Sequence, residues 1–303
     1  MSNMGMGMGM GMGMGMGMGM GMGMGNMGGG GSLAHGALFA DRVGLPFVTL
    51  ECPPGSPISG NNTNLPSFPY RNWSTEHYAW LVLTEFVKLP GWDEWDIRPA
   101  WAIGTGGAAD WLYTPAEVTK ELTSLVIAAR NERADALSEI VGQNDEFVSC
   151  FLQLLSASNG YPATARLLAV TGFVAGFAAM FYKGKYQRPR PAMLCPALMP
   201  PIPTPGHASF PSGHATQAHL MALSVQAVLP NLPAQRRPPI DNGLTVLARR
   251  IARNREIAGL HYSSDSEAGE NLAVKIRDLW FPGGASTSPW FRLTLEAARA
   301  EWP

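Results

Sequence analysis

At 303 residues the chain is long enough to bury a substantial core, and its formal net charge is −1. Hydrophobic residues make up 46% and charged residues 15%, less charge than the roughly 25% usual for soluble domains, so we expect a compact or oligomeric protein. The near-zero net charge gives no general attraction to nucleic acid or to a membrane surface. The three cysteines are widely separated and imply neither a disulfide framework nor a zinc site.

The N-terminus carries a strict alternation of Met and Gly, residues 4–25, followed by a run of glycines. Such a tract offers no periodic apolar face and has a large backbone entropy cost on ordering, so it predicts disorder. We therefore divide the chain into a disordered tail, residues 1–32, and one helical domain, residues 33–303. The tract also lacks the features of a secretory signal, so we expect a cytoplasmic protein.

The first helix signals follow a segment rich in Pro, Gly and Asn, residues 32–72, in which little regular structure is expected. Ser74 or Thr75 can cap a helix that runs to about Lys88, where Pro90 and the glycine after it stop it. This pattern predicts the first helix of the domain.

A glycine-rich stretch at residues 104–107 is interpreted as a turn, because no βαβ pattern surrounds it. Thr114, with Pro115 and Glu117 after it, matches a capping box and predicts a helix through Ala129. Apolar periodicity predicts further helices over residues 145–157, 162–182, 215–229, 244–258, 265–280 and 289–300.

Together these elements predict an all-α protein, a single-domain helical bundle whose catalytic groups come from helix ends and loops. The longest apolar run, residues 167–182, is shorter than the ~20 residues of a membrane-spanning helix. We therefore interpret it as a buried core helix and expect a soluble protein.

A loop punctuated by Pro and Gly, residues 203–216, brings Ser212, Gly213 and His214 to the start of an apolar helix. A helix N-terminus offers unpaired N–H groups and the positive end of a dipole, and Gly213 lets a ligand approach the backbone closely. The loop therefore predicts an anion site, although Ser and Gly are also ordinary capping residues.

Two basic clusters flank this loop in the sequence. They comprise Lys183, Lys185, Arg188 and Arg190 on one side, and Arg249, Arg250, Arg253 and Arg255 on the other. The first three arginines of the second cluster suit a solvated helix face. Arg255 differs, because His261 and Asp265 follow it at a spacing that lets the carboxylate orient the imidazole. One lysine and two arginines suited to oxyanions, the Ser-Gly start of a helix and two histidines are together the groups needed to transfer a phosphoryl group without a metal.

Three ordered motifs extend over residues 183–265. They are Lys183, six residues, then Arg190-Pro191; Pro211-Ser212-Gly213-His214; and Arg255, five residues, His261, three residues, Asp265. This series resembles the signature of the phosphatidic acid phosphatase type 2 and vanadium-dependent haloperoxidase superfamily. One departure is Asn254, where the family commonly has Ser before the Arg.

The resemblance implies a helical bundle of the acid phosphatase and vanadium haloperoxidase type, and a role for each matched residue. His261 would be the nucleophile of a phosphatase or the ligand that binds vanadium in a haloperoxidase, with Asp265 orienting it. His214 would be the general acid and base at the opposite apex. The equatorial oxygens of the anion would be held by Lys183, Arg190, Arg255, the Ser212 hydroxyl and the Gly213 N–H.

The motifs do not separate the two chemistries, but His207, seven residues before His214, gives a loop pattern that looks like that of the algal bromoperoxidases. A second imidazole beside the oxyanion would steer halide or tune proton transfer, although a loop His can also cap the backbone. We therefore expect a vanadium-dependent haloperoxidase that oxidises halide with hydrogen peroxide, with vanadate as its cofactor.

Two alternatives stay open. A metal-independent acid phosphatase would need no cofactor and would act on phosphate esters, and the length of this chain is close to that of the bacterial enzymes. A phosphate- or vanadate-binding protein, or an assembly protein that uses the Met-Gly tail, would not be an enzyme. In each enzymatic case we expect a small-molecule substrate and neither nucleic acid nor a membrane as a partner. The sequence leaves open whether the chain forms a homo-oligomer.

Overall fold

The structure, a computed structural model, describes residues 67–99, 114–156, 160–229 and 237–302. Within these ranges the chain is helical and contains no strand, which confirms the predicted all-α class. The predicted tail, residues 1–32, and the predicted turn at residues 104–107 lie outside the described residues.

The helices agree with most of the predicted periods. They are α1 (Thr75–Phe86), α2 (Pro115–Asn131), α3 (Arg133–Asp145), α4 (Val148–Leu154), α5 (Pro162–Tyr186), α6 (Pro191–Leu194), α7 (Gly213–Val228), α8 (Arg237–Ile257), α9 (Ser263–Trp280) and α10 (Pro289–Ala300). Short 3-10 turns lie at Tyr70–Asn72, Pro196–Leu198 and Pro282–Gly284.

Local signals explain where several helices begin. The Ser74 side chain accepts a hydrogen bond from the His77 N–H at 3.3 Å and caps α1. Proline occupies the first turn of α2, α5 and α10, where its missing N–H costs nothing. The capping box predicted at the start of α2 is not formed, because the Thr114 side chain makes no cap hydrogen bond.

Three helices differ from the sequence-based prediction, and one of them, α6, is a single turn that the sequence does not predict. The sequence predicts no helix at α3, because its polar residues and Gly142 give only a weak apolar period. Helix α8 begins at Arg237, seven residues before the predicted Leu244, and Pro238 and Pro239 lie in its first turn, where proline is tolerated.

The centre of the bundle is α7, which packs against α5, α8 and α9. Helix α5 is buried on nearly all sides, which explains why its apolar residues show no single face. In the described part of the chain, the segment Pro162–Leu194 is the one stretch long and apolar enough to cross a membrane, and 67% of its most apolar window is buried inside the fold.

Helices α7 and α9 approach each other closely because of Gly269. A Cβ atom at this position would lie 2.8 Å from the Ala215 Cβ and 2.8 Å from the Ser212 carbonyl oxygen. The close approach also lets the Ser212 N–H donate to the Asp265 carbonyl oxygen at 2.9 Å. The first turns of α7 and α9 are therefore joined.

We predict that Gly269→Ala destabilises the protein by roughly 1–3 kcal/mol, because the added methyl group must push α7 and α9 apart. The measurement is the free energy of unfolding by denaturant. Gly142→Ala is the matched control: a Cβ there meets nothing within 4 Å, so the change should be neutral or stabilising. Equal stability of the two variants would contradict the close approach.

Candidate active site

A small cavity, about 20 Å³ in volume, lies where the three sequence motifs meet. Seven of the predicted site residues line it: Lys183, Arg190, His207, Gly213, His214, Arg255 and His261. Part of the remaining lining is apolar and comes from α5, at Gly176, Ala179 and Met180. The other two predicted residues, Ser212 and Asp265, are fully buried next to this lining.

Lys183, in the last turn of α5, holds the loop before α7. Its Nζ donates to the carbonyl oxygens of Ala208, Ser209 and Pro211 at 2.9, 2.8 and 2.6 Å. Burial and the nearby Arg190 lower the pKa of Lys183 well below its ordinary value, but three carbonyl acceptors require all three protons of the ammonium group. Lys183 therefore contributes its charge to the cavity while its protons fix the loop.

Arg190 is held by backbone oxygens from two different segments. Its Nε donates to the His207 carbonyl oxygen at 2.8 Å, and its Nη1 donates to the Leu260 carbonyl oxygen at 2.9 Å. Its Nη2 lies 3.1 Å from Nδ1 of His207, so the same guanidinium orients that imidazole. Burial lowers the pKa of Arg190 to about 10.

Arg255 lies in the last turn of α8, and its N–H donors are not all used in hydrogen bonds among the described residues. Nη1 and Nη2 each lie 3.3 Å from Oδ1 of Asn144, and the buried Nε has no hydrogen-bond partner among the described residues. Burial, followed by repulsion from Arg190, lowers the pKa of Arg255 to about 9. A buried guanidinium with an unused N–H, facing a cavity, points to an anionic ligand.

His261 is oriented by Asp265. Nδ1 of His261 lies 3.1 Å from Oδ2 of Asp265, and the same carboxylate oxygen accepts from the Tyr262 N–H at 3.0 Å and from the Ser209 hydroxyl. Because an ionised carboxylate can only accept, the His261 proton lies on Nδ1, and Nε2 is the nitrogen that can bond to a ligand. Burial and then Arg190 hold the pKa of His261 well below its ordinary value, so the ring is neutral.

His214, in the first turn of α7, has a different partner. Its Nε2 donates to the main-chain oxygen of Gln143 at 3.1 Å, and its ring packs against Phe147. Burial and then Arg255 hold the pKa of His214 well below its ordinary value. Nδ1 is therefore the ring nitrogen that can exchange a proton with a ligand.

Ser212 and Gly213 have separate roles at the start of α7. The Ser212 hydroxyl accepts from the Ala215 N–H at 3.3 Å and caps the helix, and its side chain does not line the cavity. Gly213 does line it, and a Cβ there would meet nothing within 4 Å. The glycine therefore leaves space beside the helix N-terminus, where backbone N–H groups favour an anion.

Sequence reasoning missed a buried charge network behind His261. Arg188 donates to Asp265 at 2.8 Å and to Glu121 at 2.7 Å, and Glu121 in turn accepts from the Ser264 N–H at 2.9 Å. No pattern distinguishes Arg188 from the other basic residues of its cluster, and Glu121 lies in a distant helix. The network pairs both carboxylates with Arg188, and Asp265 also stabilises the charged forms of Lys183 and Arg190.

The remaining arginines of the second cluster lie on the surface, as predicted. Arg249, Arg250 and Arg253 have side chains that are 65%, 64% and 44% exposed, and they pair with glutamates on neighbouring helices. Exposed pairs of this kind contribute little to stability. Of the four arginines, Arg255 alone enters the cavity.

The cavity thus presents three buried cations and three imidazoles, and no carboxylate among its lining residues. Across the described ranges no cluster of three His, Cys, Asp or Glu side chains suited to a metal cation is found. Comparison of the chain with known protein families gives no match, and neither does comparison with curated proteins. The charge and geometry of this cavity are therefore the features that point to a function.

We predict that the buried imidazoles of His214 and His261 make the protein labile to acid. Their folded-state pKa values lie below the ~6.5 of the unfolded chain, so the unfolded chain binds more protons and stability falls as the pH drops below about 6.5. Each histidine contributes up to about 1.4 kcal/mol per pH unit in that range.

The measurement is the free energy of unfolding between about pH 8 and about pH 5, compared with a His214→Asn/His261→Asn double variant. The variant should have the shallower slope. His77→Asn is the control, because the side chain of His77 is exposed and its removal should leave the slope unchanged. Parallel slopes for all three proteins would contradict the buried neutral imidazoles.

Proposed function

We propose that the chain is a haloperoxidase-type enzyme of the superfamily that its three motifs resemble, and that it uses vanadate to oxidise halide with hydrogen peroxide. One observation carries the proposal: Lys183, Arg190 and Arg255, which are far apart in sequence, converge with His261 on one buried cavity. Three like charges repel one another there unless an anion lies between them. A tetrahedral oxyanion is the ligand that such a site favours.

The residues present fit vanadate. Nε2 of His261 would bind the vanadium, while Arg190, Arg255 and the Gly213 N–H would hold its oxygens. The unused Nε of Arg255 and the open space at Gly213 are what such an anion would fill. When bound, vanadate supplies a Lewis-acidic centre that activates hydrogen peroxide towards halide.

The side chains would supply the proton chemistry. Oxidation of halide by hydrogen peroxide consumes one proton and gives hypohalous acid and water. Nδ1 of His214 would deliver that proton once a bound anion has raised the pKa of the ring and the ring has been protonated. His207, held at 3.1 Å from Arg190, adds an imidazole at the cavity wall where halide would approach. His214 and His261 are only 2% and 3% exposed, so little bulk water reaches these rings.

A metal-independent acid phosphatase is the second candidate, favoured by the neutral state of His261. A neutral imidazole with Nδ1 held by Asp265 can attack phosphorus through Nε2, forming an N–P bond as the ester P–O bond breaks. His214 would protonate the leaving alcohol oxygen and then activate the water that releases phosphate. Because an anion raises the pKa of a nearby imidazole, substrate binding would favour the protonated form that this step needs.

A soluble, cytoplasmic enzyme acting on small molecules is consistent with this proposal. Its one candidate membrane segment, Pro162–Leu194, contains the buried helix α5 and also supplies Lys183 and Arg190 to the cavity. The non-enzymatic alternative, a protein that only binds the anion, would not need both histidines and Asp265.

We predict that purified protein loaded with vanadate oxidises bromide, chloride or iodide in the presence of hydrogen peroxide. The same preparation without vanadate is assayed for hydrolysis of p-nitrophenyl phosphate. Halide oxidation that depends on vanadate supports the first candidate. Hydrolysis that vanadate inhibits, with no halide oxidation, would replace it by the phosphatase, and a protein inactive in both assays would sink both candidates.

We further predict that His261→Ala abolishes whichever activity is found and that Asp265→Asn lowers it by about 10–100-fold, because the imidazole loses its orienting carboxylate. His77→Ala is the matched control, since this histidine is exposed on α1. Steady-state kinetics is the measurement. Full activity in His261→Ala would refute the assignment of the site.

A further inference from the structure

The carboxyl end of α3, which none of the sequence motifs contains, contacts two of the side chains that line the cavity. The main-chain oxygen of Gln143 accepts from Nε2 of His214, and the next residue, Asn144, accepts from Arg255. One helix end therefore touches two functional side chains that come from α7 and α8. How this end is held decides where His214 and Arg255 point.

A single buried amide fixes that helix end. Nδ2 of Asn254, a residue 3% exposed, donates to Oε1 of Gln143 at 2.9 Å and to Oε2 of Glu139 at 3.0 Å. Both amide protons are therefore used on the last two turns of α3. Asn254 directly precedes Arg255 in α8, so the amide ties the segment that carries Arg255 to the segment that supports His214.

We propose that Asn254 is a positioning residue for His214: by holding the end of α3, it keeps the Gln143 carbonyl on Nε2 and so leaves Nδ1 facing the reacting oxygen. A carbonyl oxygen can only accept, which requires the proton on Nε2 in the neutral ring. The last carbonyls of a helix lack partners within the helix and carry the negative end of its dipole. The end of α3 therefore selects the tautomer and also stabilises the protonated ring.

This stabilisation opposes the other charges around the ring. Arg255 on α8, Arg190 before α6 and His261 before α9 all disfavour a proton on His214. The Gln143 carbonyl acts in the opposite direction. Displacing it should lower the pKa of His214, and the inference rests on the proposed function only in giving this imidazole a proton to transfer.

The tautomer is measured without any activity assay. In protein labelled with ¹⁵N-histidine, long-range ¹H–¹⁵N correlations distinguish a proton on Nε2 from one on Nδ1, and His214→Asn identifies the signal. The wild type should carry the proton on Nε2, and Asn254→Ala should show a mixture of tautomers or a lower pKa of the ring. A proton on Nδ1 in the wild type, or an unchanged ring in Asn254→Ala, would overturn the inference.

Kinetics tests the consequence in whichever reaction the enzyme performs. Asn254→Ala should lower kcat about tenfold with KM within about twofold, and the limb of the pH profile that reports His214 should shift to lower pH. Asn254→Ser, which keeps one donor, should fold and give an intermediate value. Because Asn254 acts through Gln143, adding Gln143→Ala to Asn254→Ala should cause little further loss.

Asn242→Ala is the matched control, since Asn242 is an exposed asparagine on the same helix and should leave kcat unchanged. Wild-type kcat and pH profile in Asn254→Ala would contradict the positioning role. A wild type without activity would instead contradict the proposed function, and the tautomer measurement would still decide the inference.

Discussion

Three cations line one buried cavity, and the structure around it depends on the main-chain oxygens that accept hydrogen bonds from them. Lys183 donates to three main-chain oxygens, and Arg190 donates to those of His207 and Leu260. Carbonyl dipoles stabilise a buried charge without cancelling it. The cavity therefore keeps a positive potential, and both cations hold the loop that supplies the carbonyls.

The two buried carboxylates nearby, by contrast, are paired with a charged side chain. Asp265 has to accept from His261, yet as a free charge it would neutralise the cavity and compete with an anion. Arg188 lies between Asp265 and Glu121 and pairs with both. Because it stacks on the ring of Tyr262 as well, the pairing is held in place by packing. Asp265 thus orients His261 while its charge is paired with Arg188.

The sequence predicted the helices that have their own signals and missed those that depend on neighbours. Pro162 and Pro289 mark the starts of α5 and α10, and apolar periods locate α7 and α9. Helix α3 is polar and is stabilised by contacts with α8, so it has no local signal. The spacing of the motif residues likewise predicted that their side chains form one site. Gln143, in contrast, contacts His214 through its main-chain oxygen, and no residue pattern reveals such a contact.

The close contact at Gly269 also affects the spacing of the two histidine rings in the cavity. His214 lies in the first turn of α7 and His261 lies just before α9, so the hydrogen bond between Ser212 and Asp265 joins the two segments that carry the imidazoles. The distance between the two rings is therefore fixed by the scaffold. In the proposed function, an oxyanion bound between the two rings would lengthen along its axis as it reacts, so this fixed spacing would favour the species whose length matches it.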